Sequence, residues 1–294
     1  MITSFLLRSR PADLLNLLFL LLLTAIVSLY HTRVGNPSVL IGLYSGMILL
    51  QVVVIRIKDR GRFLKLFHAL IFPTASILII FDSFEKIVHY LNPRDIDPLL
   101  IRLDYILLGC YPTIELEKIT TPLITEILQL SYSTYYLIPF ALGITLYRKG
   151  KEAEFERALF FIMLCFYLSY VGYLLFPALG PRYTMAHLQT GDLQGWAVTG
   201  HIQAVLNALE GVKRDAFPSG HTGISLTVLY LAHRFERRMF FILLPVVTAL
   251  VFSTIYCRYH YVVDVIGGIV LTLITIVMGE VFYGYRSKRI DSGR

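Results

Sequence analysis

The chain has 294 residues, of which 56% are hydrophobic and 16% charged, with a net charge of +7 and a mean hydropathy of +0.65. A soluble globule of this length carries about a quarter charged residues, so most soluble classes are excluded. No basic patch interleaved with aromatics accompanies the positive charge, which argues against a nucleic-acid partner; Lys and Arg gather instead between apolar blocks, where they are topology signals.

Eight apolar blocks follow in chain order, each near the length that crosses a hydrocarbon core of about 30 Å. The first, residues 14–30, comes after Arg8 and Arg10. A cleaved signal peptide is the competing reading, but no small-residue cleavage pattern follows the run Val27-Ser28-Leu29-Tyr30-His31, so it is read as a span. The second covers 38–57, and the third, 66–81, contains Pro73. A proline removes one helix hydrogen bond, which spanning helices tolerate where a neighbour satisfies the freed carbonyl. A long mixed-charge stretch, 82–129, precedes the blocks 130–147 and 158–176; a second, 177–219, precedes 221–235, 240–257 and 261–283.

Lys and Arg are enriched in short cytoplasmic loops. With the N-terminus inside, the inside segments hold Arg8, Arg10, Arg56, Lys58, Arg60, Arg62, Lys65, Arg148, Lys149, Lys151, Arg157, Arg234, Arg237, Arg238, Arg286, Lys288, Arg289 and Arg294, which is 18 of the 27 basic residues. The expected fold is therefore an all-α polytopic membrane bundle of about eight helices with both termini cytoplasmic. Residues 1–81 form N-terminal transmembrane helices and 82–294 a membrane catalytic domain, together one structural unit. Cys110, Cys165 and Cys257 have no metal spacing, and sequence leaves a Cys110–Cys257 disulfide open.

Chemistry enters in three segments that the charge argument puts on the non-cytoplasmic face: Gly180-Pro181-Arg182-Tyr183-Thr184, Phe217-Pro218-Ser219-Gly220-His221-Thr222, and Arg258-Tyr259-His260-Tyr261-Val262-Val263-Asp264. His260 and Asp264, four apart, share a helix face, so the carboxylate can fix the imidazole tautomer and stabilise its cation. Such a histidine is a competent nucleophile toward phosphorus. Ser219 is a natural N-cap, and with Gly220 it opens a helix whose N-terminal amides suit an anion. His221, one step inside, can protonate a departing alkoxide. Arg182, Arg258, Lys213 and Arg214 are candidates to hold phosphate oxygens.

These segments resemble the type 2 phosphatidic acid phosphatase superfamily, whose pattern is Lys-x6-Arg-Pro, then Pro-Ser-Gly-His, then Ser-Arg-x5-His-x3-Asp. The second segment matches fully, and the third matches at Ser253, His260 and Asp264, with Thr254 where the family has Arg. The first keeps Arg182, with Leu175 at the lysine position and Tyr183 after the arginine. Asp97 and Asp104, with Gly109 and Pro112, are similar to an element of the branch that contains inositol phosphorylceramide synthases and their bacterial relatives. The superfamily resemblance implies a phosphohistidine intermediate. No metal-ligand cluster is evident in the sequence, so no metal or other cofactor is expected. The branch implies a lipid phosphate or phospholipid donor and a lipid alcohol acceptor, with phosphoinositol and a ceramide-like alcohol as one pairing; water as acceptor gives a lipid phosphatase.

Plainer readings stand beside these. Asp97 and Asp104, seven apart, and Tyr183 are substrate candidates, yet the two carboxylates also fit the wet face of an interfacial helix. Lys213 and Arg214 also fit a solvated loop, and Arg182 a cap. A transporter is the reading from another class; against it, the middles of the blocks hold almost no ionisable groups.

Overall fold

The computed structural model describes residues 8–197, 199–209 and 214–292. Among them every regular element is helical. The chain divides into two compact units, Met1–Pro93 and Arg94–Arg294.

The first unit contains α1 (Pro11–Leu29), α2 (Pro37–Ile57), α3 (Arg62–Ser83) and the short α4 (Glu85–Leu91). Pro11 and Pro37 sit in the first turns of α1 and α2, where a missing N–H costs nothing. Pro73 is harder to accommodate. Just before it, α3 makes a π-helical turn at Phe67–Ile71, and the Phe72 N–H reaches back five residues to the Phe67 carbonyl. In that register the His68 carbonyl would accept from residue 73, which has no N–H. Arg10 takes its place: its Nη2 donates to the His68 oxygen at 2.7 Å. The same guanidinium pairs with Asp13 at 2.9 Å, and Asp13 also meets His68 Nε2 at 3.0 Å. Asn16 donates to Gln51 at 2.8 Å, and Gln51 donates to the Asp13 carbonyl at 2.9 Å. A polar seam thus joins three apolar helices, as interhelical hydrogen bonds do within a bilayer.

The second unit comprises α5 (Asp97–Leu108), α6 (Pro122–Ser133), α7 (Ile138–Arg148), α8 (Glu152–Leu175), α9 (Thr199–Leu209), α10 (Gly220–Phe235), α11 (Arg237–Tyr256) and α12 (Val262–Ser292). Its centre is α10, which packs against α7, α8, α11 and α12. Small residues allow the closest of these approaches. A Cβ on Gly268 of α12 would stand 2.7 Å from the Ser219 carbonyl oxygen and from Thr222 Cβ, so only glycine fits there. At its far end Lys151 Nζ donates to the Phe235 carbonyl at 2.6 Å, a cation on a helix C-terminus.

Six helices among the described residues are long and apolar enough to span: α1, α2, α3, α8, α11 and α12. Helices α6 and α7 meet at a 50° bend and make a seventh if taken as one broken span. The remaining apolar block is α10, whose 16 residues rise only about 24 Å. It spans nearly the same residues as the expected block 221–235, bounded by the Ser219 cap and by Glu236, but is shorter than the six long helices. All three cysteines are free thiols, so the open Cys110–Cys257 pairing is absent.

Candidate active site

Backbone hydrogen bonds tie the three sequence segments to one another. Arg182 N–H donates to the Arg258 carbonyl at 2.9 Å, Ala216 N–H to Ala178 at 3.0 Å, and Ser219 N–H to Asp264 at 3.0 Å. Gly180 is required for this closure. Its φ is +90°, and a Cβ there would meet the Tyr259 carbonyl oxygen at 2.6 Å.

His260 is 3% exposed and lies between α11 and α12. Its Nδ1 has two acceptors, the Ala216 carbonyl at 2.9 Å and Asp264 Oδ2 at 3.3 Å. Nδ1 therefore carries the proton, and the lone pair sits on Nε2. That Nε2 faces Nδ1 of His221 at 3.4 Å. Asp264 Oδ2 also accepts from the Tyr261 N–H at 2.9 Å, which closes the first turn of α12 and fixes the carboxylate. Ser219 caps α10, its Oγ accepting from Thr222 N–H at 3.2 Å, and Gly220 starts that helix beneath the Tyr173 hydroxyl. The Ser219 amide and one acceptor site of its hydroxyl thus shape the helix terminus.

The cations separate into two groups. Arg182 donates to the Tyr183 hydroxyl at 2.7 Å, and its guanidinium lies 4.7 Å from the Tyr183 ring and 5.0 Å from the Tyr259 ring. Arg258 corrects the expectation of a replacement phosphate ligand. Its backbone takes φ +66°, and its guanidinium donates at 2.9 Å to each of Gln189 Oε1, Glu117 Oε1 and the Gly191 carbonyl. It is buried in the loop that it holds. Arg214 pairs with Asp95 through Nη2 at 3.0 Å, while its Nη1 is buried without a hydrogen-bond partner among the described residues. Lys213 lies outside the described residues.

Asp97 and Asp104 do not form a wet face, since both are 2% exposed. Asp97 accepts from Leu179 N–H at 2.9 Å, Gly180 N–H at 2.8 Å and the Tyr261 hydroxyl at 2.8 Å. Asp104 accepts from Val262 N–H at 3.0 Å and Val263 N–H at 2.9 Å, the orphan amides of the α12 N-terminus. Burial raises the Asp104 carboxyl above its ordinary value, while those two amides pull the other way. Two turns of α5 thereby set the positions of the first and third segments. The sevenfold spacing showed that the carboxylates share a face, but not that the face is turned inward.

Sequence reasoning passed over α6. Tyr132 stacks on His221 with ring centroids 4.5 Å apart, and Tyr135 lies 4.1 Å from the same ring. Neither belongs to a motif segment, and Tyr in an apolar block reads as interfacial bulk. Nor could sequence have found the Ala216 carbonyl, which any residue would supply.

The sequence profile of the PAP2 superfamily matches residues 106–278, more than half of the chain. The chain belongs to the PAP2 superfamily. All three segments, and α6 with them, fall inside the PAP2 match, whereas Asp97 and Asp104 precede it. The chain is also 26% identical over 176 residues to a PA-phosphatase related-family protein of Dictyostelium discoideum. That alignment covers 53% of this chain and 32% of the relative, so the chain spans about a third of the relative's length. No solved structure matches the chain.

Proposed function

We propose that this PAP2 superfamily member is a multi-pass membrane phosphotransferase that moves a phosphate or phosphorylated head group from a lipid donor to a lipid alcohol through a phosphohistidine. The observation that carries the reading is the His260 arrangement: Nδ1 held by Ala216 and Asp264, with Nε2 presenting its lone pair toward His221 Nδ1 at 3.4 Å. A phosphoryl group entering along that axis parts the two rings. His260 Nε2 then forms the bond to phosphorus as the bond to the leaving oxygen breaks, and His221, protonated on both ring nitrogens beside the bound anion, gives that oxygen its Nδ1 proton and becomes neutral. In the second half the acceptor hydroxyl gives its proton to His221, its oxygen bonds to phosphorus, and the P–Nε2 bond breaks. Asp264 stabilises the positive charge on His260 throughout.

Among the described residues few cations serve this site. Leu175 and Thr254 stand where the superfamily carries Lys and Arg, and Arg258 is committed to its loop, which leaves Arg182 as the cation of the motif segments. A phosphodiester carries one negative charge where a monoester dianion carries two, so this balance favours a diester donor and hence head-group transfer over monoester hydrolysis. The basic short loops support an active site on the non-cytoplasmic face.

The test is product analysis by lipid mass spectrometry on membranes supplied with a phospholipid donor, with and without an added lipid alcohol. Transfer predicts a new phosphorylated lipid that grows with acceptor, together with an acid-labile phosphoenzyme. Release of the head group or phosphate to water at a rate indifferent to acceptor makes the protein a phosphatase instead.

A further inference from the structure

His221 is oriented by remarkably few polar contacts for a proton donor: its Nε2 is buried without a hydrogen-bond partner among the described residues, and its Nδ1 meets only His260. The His260 contact is the one that a phosphoryl group disrupts on entering. Two aromatic rings remain against the His221 ring at that moment. Helix α6 ends at Ser133, the chain turns at Thr134–Tyr136, and α7 leaves at 50°. This break carries Tyr132 and Tyr135, three residues apart, to His221 from outside the motif segments, with centroids 4.5 Å and 4.1 Å from its ring. Tyr132 is 1% exposed and is itself fixed by Tyr259, stacked at 4.1 Å and 17°.

Resting on the phosphohistidine reading above, we propose that Tyr132 and Tyr135 are positioning residues for the leaving-group proton. They keep the imidazole plane while the ring gives way to phosphorus, so that Nδ1 stays aimed at the oxygen that departs. Their π faces also stabilise the imidazolium that forms when His221 takes the proton of the incoming hydroxyl. A shape-filling role alone would affect every substrate alike. A role in positioning the acid acts on substrates in proportion to the basicity of the leaving oxygen.

The experiment compares kcat for an alkyl phosphoester and a p-nitrophenyl phosphoester of the same charge, using the full chain in detergent micelles. For Tyr132→Leu the alkyl-to-nitrophenyl ratio is expected to fall by about 10- to 30-fold, the scale of one desolvated cation–π contact, and Tyr132→Phe, which keeps the ring, is expected to restore it. Tyr135→Leu, at a half-buried position, is expected to move the ratio the same way and serves if Tyr132→Leu does not accumulate in the membrane. Equal losses on both esters, or a Phe variant as impaired in the ratio as Leu, overturn the proposal. His221→Ala separates the two levels. If it leaves the ratio unchanged, the acid assignment itself fails; if it lowers the ratio while the tyrosine variants do not, the tyrosine inference fails alone.

Discussion

The Nδ1 atom of His260 is closer to the backbone carbonyl of Ala216, at 2.9 Å, than to the carboxylate of Asp264, at 3.3 Å. The tautomer therefore has a second guardian that no side-chain substitution removes. In Asp264→Asn the carbonyl keeps the proton on Nδ1 and only the charge stabilisation is lost. The expected fall in kcat is about 100-fold, below the ~10,000-fold loss that follows a wrong tautomer in a Ser-His-Asp triad. Single-turnover kinetics of phosphoenzyme formation measure it, and a loss at the larger value means that the carbonyl does not hold the ring.

The two histidines separate by leaving group. His260→Ala removes the first bond-forming step, so no ester turns over and no phosphoenzyme is trapped. His221→Ala loses the proton donor, which is worth about 100- to 10,000-fold on a basic leaving group, and recovers much of that on p-nitrophenolate. Substantial turnover by His260→Ala alongside a His221→Ala variant that is dead on every ester reverses the assignment.

Asp104 holds two amides of the α12 N-terminus and Asp97 holds the loop before Arg182. Removing either carboxylate leaves buried donors unpaired, at about 1–3 kcal/mol each. Asp104→Ala and Asp97→Ala are expected to lower the thermal midpoint in detergent and to slow phosphoenzyme formation together. Variants with full stability and a changed lipid preference would instead mark these residues as substrate contacts.

In the N-terminal unit, Arg10 supplies the donor that Pro73 lacks. Arg10→Leu leaves Asp13 without its buried cation, a loss of about 3–5 kcal/mol, and also orphans the His68 carbonyl. Pro73→Ala returns an N–H to that part of α3, so Arg10→Leu is expected to cost less in the Pro73→Ala background. Thermal unfolding of the four proteins gives the coupling; strictly additive effects mean that the two residues do not serve the same carbonyl.

Topology is checked by cysteine accessibility in a Cys110→Ser background. Asp192→Cys and Arg238→Cys both place a thiol at an exposed position. An impermeant reagent added to intact cells should label the first and spare the second, and the opposite pattern places the histidine pair on the cytoplasmic side.

The helices of this protein are written locally. Runs of apolar residues near the thickness of a bilayer, punctuated by Arg and Lys, give each block its position and its class without reference to any other block. The candidate histidine pair was legible because Ser219-Gly220-His221 and His260-x3-Asp264 are short-range patterns at the starts of α10 and α12; His260 itself precedes α12, so a turn before the helix, not a shared helix face, brings it to Asp264. Direction and partnership are not local. A sevenfold spacing puts Asp97 and Asp104 on one face of α5, yet only the packing of the second unit turns that face toward the amides of residues 179, 180, 262 and 263. Arg258 could be placed beside the histidines by sequence, but its positive φ and the Glu117 carboxylate, 141 residues away, turn the guanidinium into the loop. Tyr132 and Tyr135 acquire their place against His221 from a bend between α6 and α7; Pro139 in the first turn of α7 marks the break, but not the ring that the bend brings them to. Composition and periodicity determined where the chain crosses and which groups could react, because those depend on residues within a turn or two; tertiary packing alone decided which carboxylates, cations and rings meet the reacting pair, because those contacts join residues far apart along the chain.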